Sequence, residues 1–258
     1  MHLRWLAPLL IVALGAAASA EPVRISHSRI QSTLQPGTIA AIDTPAPQTT
    51  RDNRWYRIFE LKDFVTESIT VSAVRIGVEI AEADPGSQPV TVRLYAGDLF
   101  GEKELRAEAE HMINNKELAL EMIPIRARFQ AHETMIVEIE PLDHGLWGLT
   151  GQRFFIGTNR WGETGPSYLA STLAGDPVPA PYSAIGAGYP DMAIVMTVFA
   201  RTGCDVDCDG DGVIDILDFV CFQSAFGAGD PVADCDRSGA LDLYDFLCFT
   251  HLFALGCP

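Results

Sequence analysis

Basic residues are scarce in this chain: 18 Lys and Arg stand against 34 Asp and Glu among 258 residues, which gives a net charge of −16. So acidic a chain is not a nucleic-acid binder that works by bulk electrostatics. The sequence also lacks a G-x-S-x-G elbow, an H-E-x-x-H pair, a Gly-rich phosphate loop and a dinucleotide fingerprint. We therefore expect a non-catalytic protein. The alternative is a glycoside hydrolase, whose two carboxylates need no fixed spacing in sequence.

Long apolar runs are also absent after residue 20, so no later segment is expected to span a membrane. The one long apolar stretch, residues 6–18, follows Arg4 and ends in the small residues Ala18, Ser19 and Ala20. This arrangement is typical of a secretory signal peptide that is cleaved after Ala20. We expect the protein outside the cytoplasm, secreted or at the cell surface, where disulfides can form.

The front part of the chain has the pattern of a β domain. Residues 21–50 contain four prolines among Ser, Thr and Gln, and we interpret them as a leader with one edge strand. Residues 51–200 contain short runs rich in β-branched and aromatic residues, several of which alternate apolar with charged side chains. These runs predict an antiparallel, jelly-roll-like β-sandwich, with strands at 55–61, 69–81, 90–95, 118–125, 134–139, 154–158 and 192–199. The Glu, Lys and Ala content of residues 101–117 favours a surface helix instead.

Segments 53–59, 154–168 and 188–192 resemble a β-sandwich module that recurs in secreted and surface proteins of bacteria. The resemblance implies a fold and no particular activity. Within it, Trp161 lies in a Gly-rich loop together with Asn159, Arg160 and Glu163, and an indole there could stack on a sugar ring. These four residues are the candidate ligand loop, with a glycan as ligand. The alternative is that Trp161 only anchors the loop. The scattered histidines are expected at the surface: His27, His111, His132, His144 and His251.

From residue 204 the chain repeats itself with a period of 27 residues. Each copy places Asp or Ser at positions one, three, five, nine and twelve of a loop, and glycine at position six. This is the spacing of calcium-binding loops, in which glycine permits a sharp turn and position seven offers a backbone carbonyl. The predicted ligands of two Ca²⁺ ions are Asp207, Asp209, Asp211, Val213, Asp215 and Asp218 in the first loop, with Gly212 at the turn, and Asp234, Asp236, Ser238, Ala240, Asp242 and Asp245 in the second, with Gly239 at the turn.

Two departures distinguish these loops from an ordinary EF-hand. Position twelve is Asp rather than Glu, and the residues before each loop contain glycine or proline, so no incoming helix is expected. Each unit is therefore a loop followed by one short helix, predicted at 219–226 and 246–253. On these features residues 201–258 resemble a dockerin-type module, in which two such units are related by a pseudo-twofold axis.

The dockerin resemblance implies a partner, either a cohesin-like extracellular protein or a component of the cell surface. In dockerins that bind cohesins, loop positions ten and eleven carry much of the recognition. Those positions are occupied here by Ile216, Leu217, Leu243 and Tyr244. The same apolar side chains could instead belong to the core of so small a module.

All six cysteines lie between residues 204 and 257, which in an exported protein predicts disulfides. Zinc is less favoured because no C-x-x-C pair is present. Cys204 and Cys257 flank the repeat, and we predict a disulfide between them as a clasp across the ends of the module. The remaining four permit two arrangements that the sequence leaves open: Cys208 with Cys235 and Cys221 with Cys248, or the crossed pairing.

Overall fold

The computed structural model describes residues 22–39, 49–143, 152–173, 176–185, 191–202, 206–209, 213–236, 238 and 240–255. The predicted signal peptide, His144, Cys204, Asp211, Gly212, Gly239 and Cys257 lie outside these ranges. Contacts divide the chain after Gly203, so that Glu21–Gly203 form one compact unit and Cys204–Pro258 belong to a second. No helix within the described ranges is long and apolar enough to cross a membrane.

Strand makes up 49% of the protein and helix 17%, which confirms the predicted class. The strands are β1 Pro22–Ile25, β2 Arg54–Glu60, β3 Ile69–Glu82, β4 Ser87–Gly97, β5 Lys103–Asn114, β6 Lys116–Phe129, β7 Thr134–Pro141, β8 Arg153–Ile156, β9 Thr158–Asn159, β10 Ser167–Ser171, β11 Asp176–Pro181, β12 Ala193–Ile194 and β13 Met196–Thr202. The two α-helices are α1 Ile216–Ala228 and α2 Leu243–Leu255.

Two large antiparallel sheets and a small two-stranded sheet of β9 and β12 belong to the unit Glu21–Gly203. The five-stranded sheet has the order β1-β13-β3-β6, with β8 also paired to β3, and the six-stranded sheet has the order β11-β10-β2-β7-β4-β5. Their inner faces share one core, in which Trp55 of β2 meets Phe154 of β8 at 6.0 Å between ring centroids. These two rings come from different sheets, so the sheets pack face to face. The predicted antiparallel sandwich is therefore confirmed.

The expected helix at residues 101–117 is wrong. Residues Lys103–Asn114 form β5, which pairs with β4 along its whole length at the edge of the six-stranded sheet. Glu, Lys and Ala are good helix formers in isolation, but the register with β4 overrides that weak preference. Charged side chains also suit an edge strand, because they discourage pairing with another chain.

Residues 21–50 contribute more to the sandwich than a leader would. Strand β1 is an edge strand of the five-stranded sheet, and Ile25 is fully buried in the core. Further along, the buried carboxylate of Glu79 accepts hydrogen bonds from the amides of Gly37 and Thr38 at 2.8 and 2.7 Å. These bonds hold the segment around residues 34–38 across the outer face of β3.

Arg57 is fully buried in the sandwich. Its Nη1 donates to the Glu163 carboxylate at 2.8 Å and to the Gly165 carbonyl at 2.6 Å, and its Nη2 donates to the Ile194 carbonyl at 2.6 Å. Burial lowers the pKa of Arg57, and the negative charge of Glu163 opposes that effect. The guanidinium therefore ties β2 to the loop before β10 and to β12.

Two histidines are only partly exposed, although all were expected at the surface. The Nε2 of half-buried His27 donates to the Ile58 carbonyl at 2.8 Å, and its ring stacks on Phe59 at 4.9 Å. Burial lowers the pKa of His27, which favours the neutral ring. His111 contacts the carboxylate of Glu121 at 2.8 Å.

Glu163→Ala is expected to lower the free energy of unfolding of the sandwich by about 3 kcal/mol, because it leaves a buried guanidinium without its carboxylate. Urea unfolding followed by tryptophan fluorescence measures this, since all four tryptophans precede residue 204. The exposed Glu67 gives a control, Glu67→Ala, with an expected change below about 0.5 kcal/mol. Equal effects of the two substitutions would contradict the structural role of the pair.

Candidate metal centres

Each repeat of the C-terminal unit is a loop that ends at the start of a helix. The carboxylate of Asp215 accepts a hydrogen bond from the amide of Leu217 at 2.7 Å and caps α1, and Asp242 accepts from the amide of Tyr244 at 2.7 Å in the same way. Because of these caps the helices begin three residues before the predicted starts at 219 and 246. Gly229, which follows the last residue of α1, caps the helix with a φ of 75°.

The aspartate at position twelve closes each loop. Asp218 accepts from the amide of Asp209 at 3.1 Å and from the amide of Asp215 at 2.9 Å. Its counterpart Asp245 accepts from the amides of Asp236 and Asp242 at 3.2 and 2.8 Å. Both aspartates are fully buried. A single carboxylate thus connects positions three, nine and twelve in both repeats.

Three carboxylates converge in each loop. Asp207, Asp209 and Asp218 each offer an oxygen within 4.8 Å of the others, and so do Asp234, Asp236 and Asp245. Each cluster can hold a metal ion. The other predicted carboxylate ligands are not in these clusters: Asp215 and Asp242 cap the helices, and Asp211 lies outside the described residues.

The remaining predicted ligands belong to the loop backbone or its turns. Ser238 donates from its amide to Asp234 and Asp236 at 3.0 Å each, and its hydroxyl donates to the carbonyl of Ala240 at 3.2 Å. The structure therefore places Ser238 and Ala240 beside the second cluster. Val213, at the equivalent position of the first loop, is exposed.

Few basic side chains are available to neutralise these loops. Residues 204–258 contain Arg237 and no lysine, whereas Asp207, Asp218 and Asp245 are all buried. Burial raises the pKa of Asp218 in spite of its two amide hydrogen bonds, and the charge of Asp209 adds to the increase. For Asp245 burial acts in the same direction, but the amides of Asp242 and Asp236 outweigh it and lower its pKa. An oxygen-binding cation would remove the repulsion among these carboxylates.

Neither predicted arrangement of the four inner cysteines is right. The disulfides join Cys208 to Cys221 and Cys235 to Cys248, each within one repeat, with 5.8 Å between the Cα atoms. The second loop position and the sixth helical residue lie side by side because the chain turns back through the loop. The proposed clasp of Cys204 with Cys257 falls outside the described residues.

Phenylalanines fill the space between the two helices. Phe222 stacks on Phe249 at 4.0 Å between ring centroids, with an interplanar angle of 10°. These two equivalent residues of the repeats are almost fully buried, and four more phenylalanines pack around them: Phe219, Phe226, Phe246 and Phe253. The phenylalanines of the two helices thus form the core of this unit.

The four predicted partner residues do not belong to that core. Ile216 is 67% exposed, Leu217 54%, and Leu243 and Tyr244 are 68% exposed each. The alternative that these side chains belong to the core is therefore wrong.

The candidate ligand loop of the sandwich divides into inner and outer residues. Trp161 is 44% exposed and Arg160 is also exposed. Asn159 is fully buried and donates to the Ile30 and Thr33 carbonyls at 2.8 and 3.1 Å, while Glu163 binds Arg57. No signal in the sequence pointed to Arg57, because nothing local distinguishes a buried arginine within a strand.

No family model matches the chain, and no curated protein matches it. Among solved structures, it is similar to the cysteine protease and lectin-like domains of a surface layer associated protein of Clostridium difficile, at 8% identity and a TM-score of 0.44, over 60% of this chain and 33% of that one. It is also similar to a structure of a clostridial cysteine protease after propeptide cleavage, at 8% identity and a TM-score of 0.46, over 70% of this chain and 40% of that one. The similarity to a CocE/NonD family hydrolase from Staphylococcus aureus has 9% identity and a TM-score of 0.27, over 71% of this chain and 37% of that one.

The chain thus spans well under half the length of these three structures. Identities this low, with TM-scores below 0.5, do not bear on its function.

Replacing Cys235 and Cys248 together by serine is expected to destabilise the second repeat by about 3 kcal/mol, because the disulfide closes a short chain segment. Thermal unfolding followed by helix circular dichroism measures this, since both α-helices of the described chain lie in this unit. Gln223→Ser with His251→Ser, at exposed helix positions, is the control. Peptide mapping that joined Cys208 to Cys235 would contradict the pairing.

Proposed function

We propose that residues 201–258 form a dockerin-type module that binds two Ca²⁺ ions and tethers the β-sandwich to an extracellular partner or surface. The observation that supports this most directly is the recurrence of one arrangement in both loops. In each, three carboxylates converge within 4.8 Å and the position-twelve aspartate accepts two loop amides. The protein itself is proposed to be secreted and non-catalytic.

Calcium is the cation that suits these loops best. The potential ligands are carboxylate, hydroxyl and carbonyl oxygens, which favour hard cations over zinc or copper. A loop of twelve residues with a glycine turn can supply the six to eight oxygens that Ca²⁺ takes, whereas Mg²⁺ prefers fewer protein ligands and more water. The second loop has Ser238 where the first has Asp211, so we propose that it binds Ca²⁺ more weakly.

A tethering role is supported by the exposed apolar residues beside the loops. Ile216 and Leu217 occupy loop positions ten and eleven of the first repeat, and Leu243 and Tyr244 occupy those of the second. Each pair forms the first two residues of a helix, and an aspartate caps the first turn of that helix. Cation binding and the presentation of these side chains are therefore coupled in the proposal.

Calcium titration of the chelator-treated full chain by calorimetry is expected to show two saturable events. Asp207→Ala removes the tighter event and Asp234→Ala the weaker one, because each deletes a carboxylate of one cluster only. Asp230→Ala, outside both loops, is the matched control and leaves both events in place. A wild-type chain without saturable uptake would contradict the proposal.

Tethering is tested by immobilising the full chain in calcium and presenting the envelope and secreted proteins of the producing cells. A partner is expected to be retained, to elute in chelator, and to be lost with Ile216→Asp combined with Leu243→Asp. The control variant, Gln223→Asp with His251→Asp, introduces the same charge at other exposed helix positions. It is expected to retain the partner. Retention that survives chelator and both apolar substitutions would reject the tether.

The second candidate function is that of a carbohydrate-active protein, glycan-binding or hydrolytic, with the same module for docking. The exposure of Trp161 beside Arg160 favours it, because an exposed indole can pack on a sugar ring. Binding of a neutral glycan that depends on Trp161 would distinguish it from the non-catalytic tether.

A further inference from the structure

The outer face of the six-stranded sheet carries two neighbouring tyrosines, Tyr56 of β2 and Tyr95 of β4. Both alternate along their strands with residues of the main core, so their rings lie on the side of the sheet that faces away from it. Strand β7 runs between them and places Glu138 opposite Tyr56 and Ile136 opposite Tyr95. The two tyrosines are therefore diagonal neighbours across β7.

The ammonium group of Lys103 lies over both rings. Its Nζ is 4.9 Å from the centre of the Tyr95 ring and 5.7 Å from that of the Tyr56 ring, within the range of cation–π attraction. Among the ion pairs of the described residues, none involves Lys103. The two rings thus hold this cation where a carboxylate usually would. We name Tyr56, Tyr95, Glu138 and Lys103 together the tyrosine site.

The turn between β4 and β5 closes one side of the tyrosine site. The carboxylate of Asp98 accepts a hydrogen bond from the amide of Phe100 at 2.9 Å and fixes this turn. Leu99 is buried in a small apolar cluster that includes Tyr56, and the exposed ring of Phe100 meets the ring of Tyr168 at 5.8 Å between centroids. The aromatic surface therefore continues beyond the tyrosine site and offers apolar contacts to a ligand.

Carboxylates outnumber basic groups on the part of the face beside the tyrosine site. One guanidinium, that of Arg93, serves three of them. They are Glu108 at 2.5 Å, Glu138 at 2.6 Å and Glu140. The neighbouring Arg54 has a carboxylate of its own, that of Asp52 at 3.7 Å. Even with Lys103 counted, the local charge is negative, so this surface attracts a cation and repels an anion.

Glu138 lies at the hydroxyl ends of both tyrosines. Burial raises the pKa of Tyr95 to about 12, and the charge of Glu138 and a hydrogen bond with its carboxylate add to the increase. Burial and Glu138 raise the pKa of Tyr56 in the same way. Both rings are therefore neutral phenols, and the nearly buried carboxylate of Glu138 adds its negative charge to their attraction for a cation.

We propose that the tyrosine site binds a small ligand with a quaternary ammonium group, and that Lys103 occupies the site until this ligand displaces it. Aromatic rings recognise such groups through cation–π attraction. A quaternary ammonium is weakly hydrated, and its methyl groups can contact Phe100, whereas the ammonium of lysine is strongly hydrated. Lys103 is exposed and is the first residue of β5, so its side chain can rotate away while the strand stays in place. This binding does not depend on the calcium module.

Two other kinds of ligand fit less well. A primary amine has the same cationic group as Lys103, which is tethered beside the rings and therefore competes at a high effective concentration. A neutral apolar group of the same shape gains nothing from Glu138 or from the negative charge around Arg93. Both are outcomes that the experiment separates.

The test measures binding of choline to the full chain by calorimetry, at a constant calcium concentration. Two comparison ligands change one property each: 3,3-dimethylbutanol is the uncharged carbon analogue of choline, and ethanolamine is its primary-amine analogue. Choline is expected to bind more tightly than either, because only choline combines a positive charge with a weakly hydrated, methylated surface.

Variants of the site give the second part of the test. Lys103→Gln is expected to lower the dissociation constant of choline about tenfold, as follows if Lys103 occupies the site about nine-tenths of the time. Tyr95→Leu removes one ring and is expected to raise the constant about fivefold or more, whereas Tyr95→Phe keeps the ring and the affinity. Lys62→Gln, which removes an exposed lysine elsewhere, is the matched control with unchanged affinity.

Selective choline binding that Lys103→Gln strengthens and Tyr95→Leu weakens supports the proposal, provided that thermal unfolding shows the variants to be folded. Absence of choline binding in the Lys103→Gln chain overturns it. Equal affinity for 3,3-dimethylbutanol or ethanolamine also overturns it, because the site then recognises an apolar group or any amine. Because Lys103 is exposed, Lys103→Gln decides the matter even if Tyr95→Leu does not fold, and an affinity that it leaves unchanged rejects the displacement.

Discussion

Repulsion among carboxylates is the constraint on which the C-terminal unit depends. Each repeat gathers three aspartates within 4.8 Å, in a segment whose Lys and Arg content is one residue, Arg237. Backbone amides hold the position-twelve aspartates, but amide hydrogen bonds do not cancel several negative charges. The two disulfides and the stacked Phe222 and Phe249 maintain the fold around these loops, as a unit this small requires. The remaining charge is the reason why a cation belongs in the proposed function.

In the sandwich, by contrast, it is positive charge that must be compensated. Arg57 is buried and compensated by Glu163 together with two carbonyls, whereas Arg93 is compensated by glutamates on an outer face. The net charge of −16 therefore says little about the sandwich, where each of these arginines has its own carboxylate partners. Local charge, rather than the total, identifies the surfaces that can recognise a ligand.

Short-range patterns predicted most of the fold correctly. Alternation of apolar and polar residues located the strands, because side-chain direction in a strand follows from position alone. The same reasoning failed for Lys103–Asn114, where pairing with β4 outweighs the helix preference of Glu and Ala. It failed again for the inner cysteines. Because the cysteines occupy equivalent positions in the two repeats, disulfides between the repeats were predicted. The turn of each loop instead brings Cys208 to Cys221 and Cys235 to Cys248.

The amino-acid sequence by itself determined the two acidic loops, since the acidic residues of each lie within twelve positions and their geometry depends on local turns. Tertiary structure alone decided which side chains are exposed. It placed Ile216 and Tyr244 on the surface and Asn159 in the interior. It also joined Arg57 to Glu163 and brought Lys103 to Tyr56. Those relations connect residues that are far apart in the chain, so they follow from strand order and register, which no local pattern encodes.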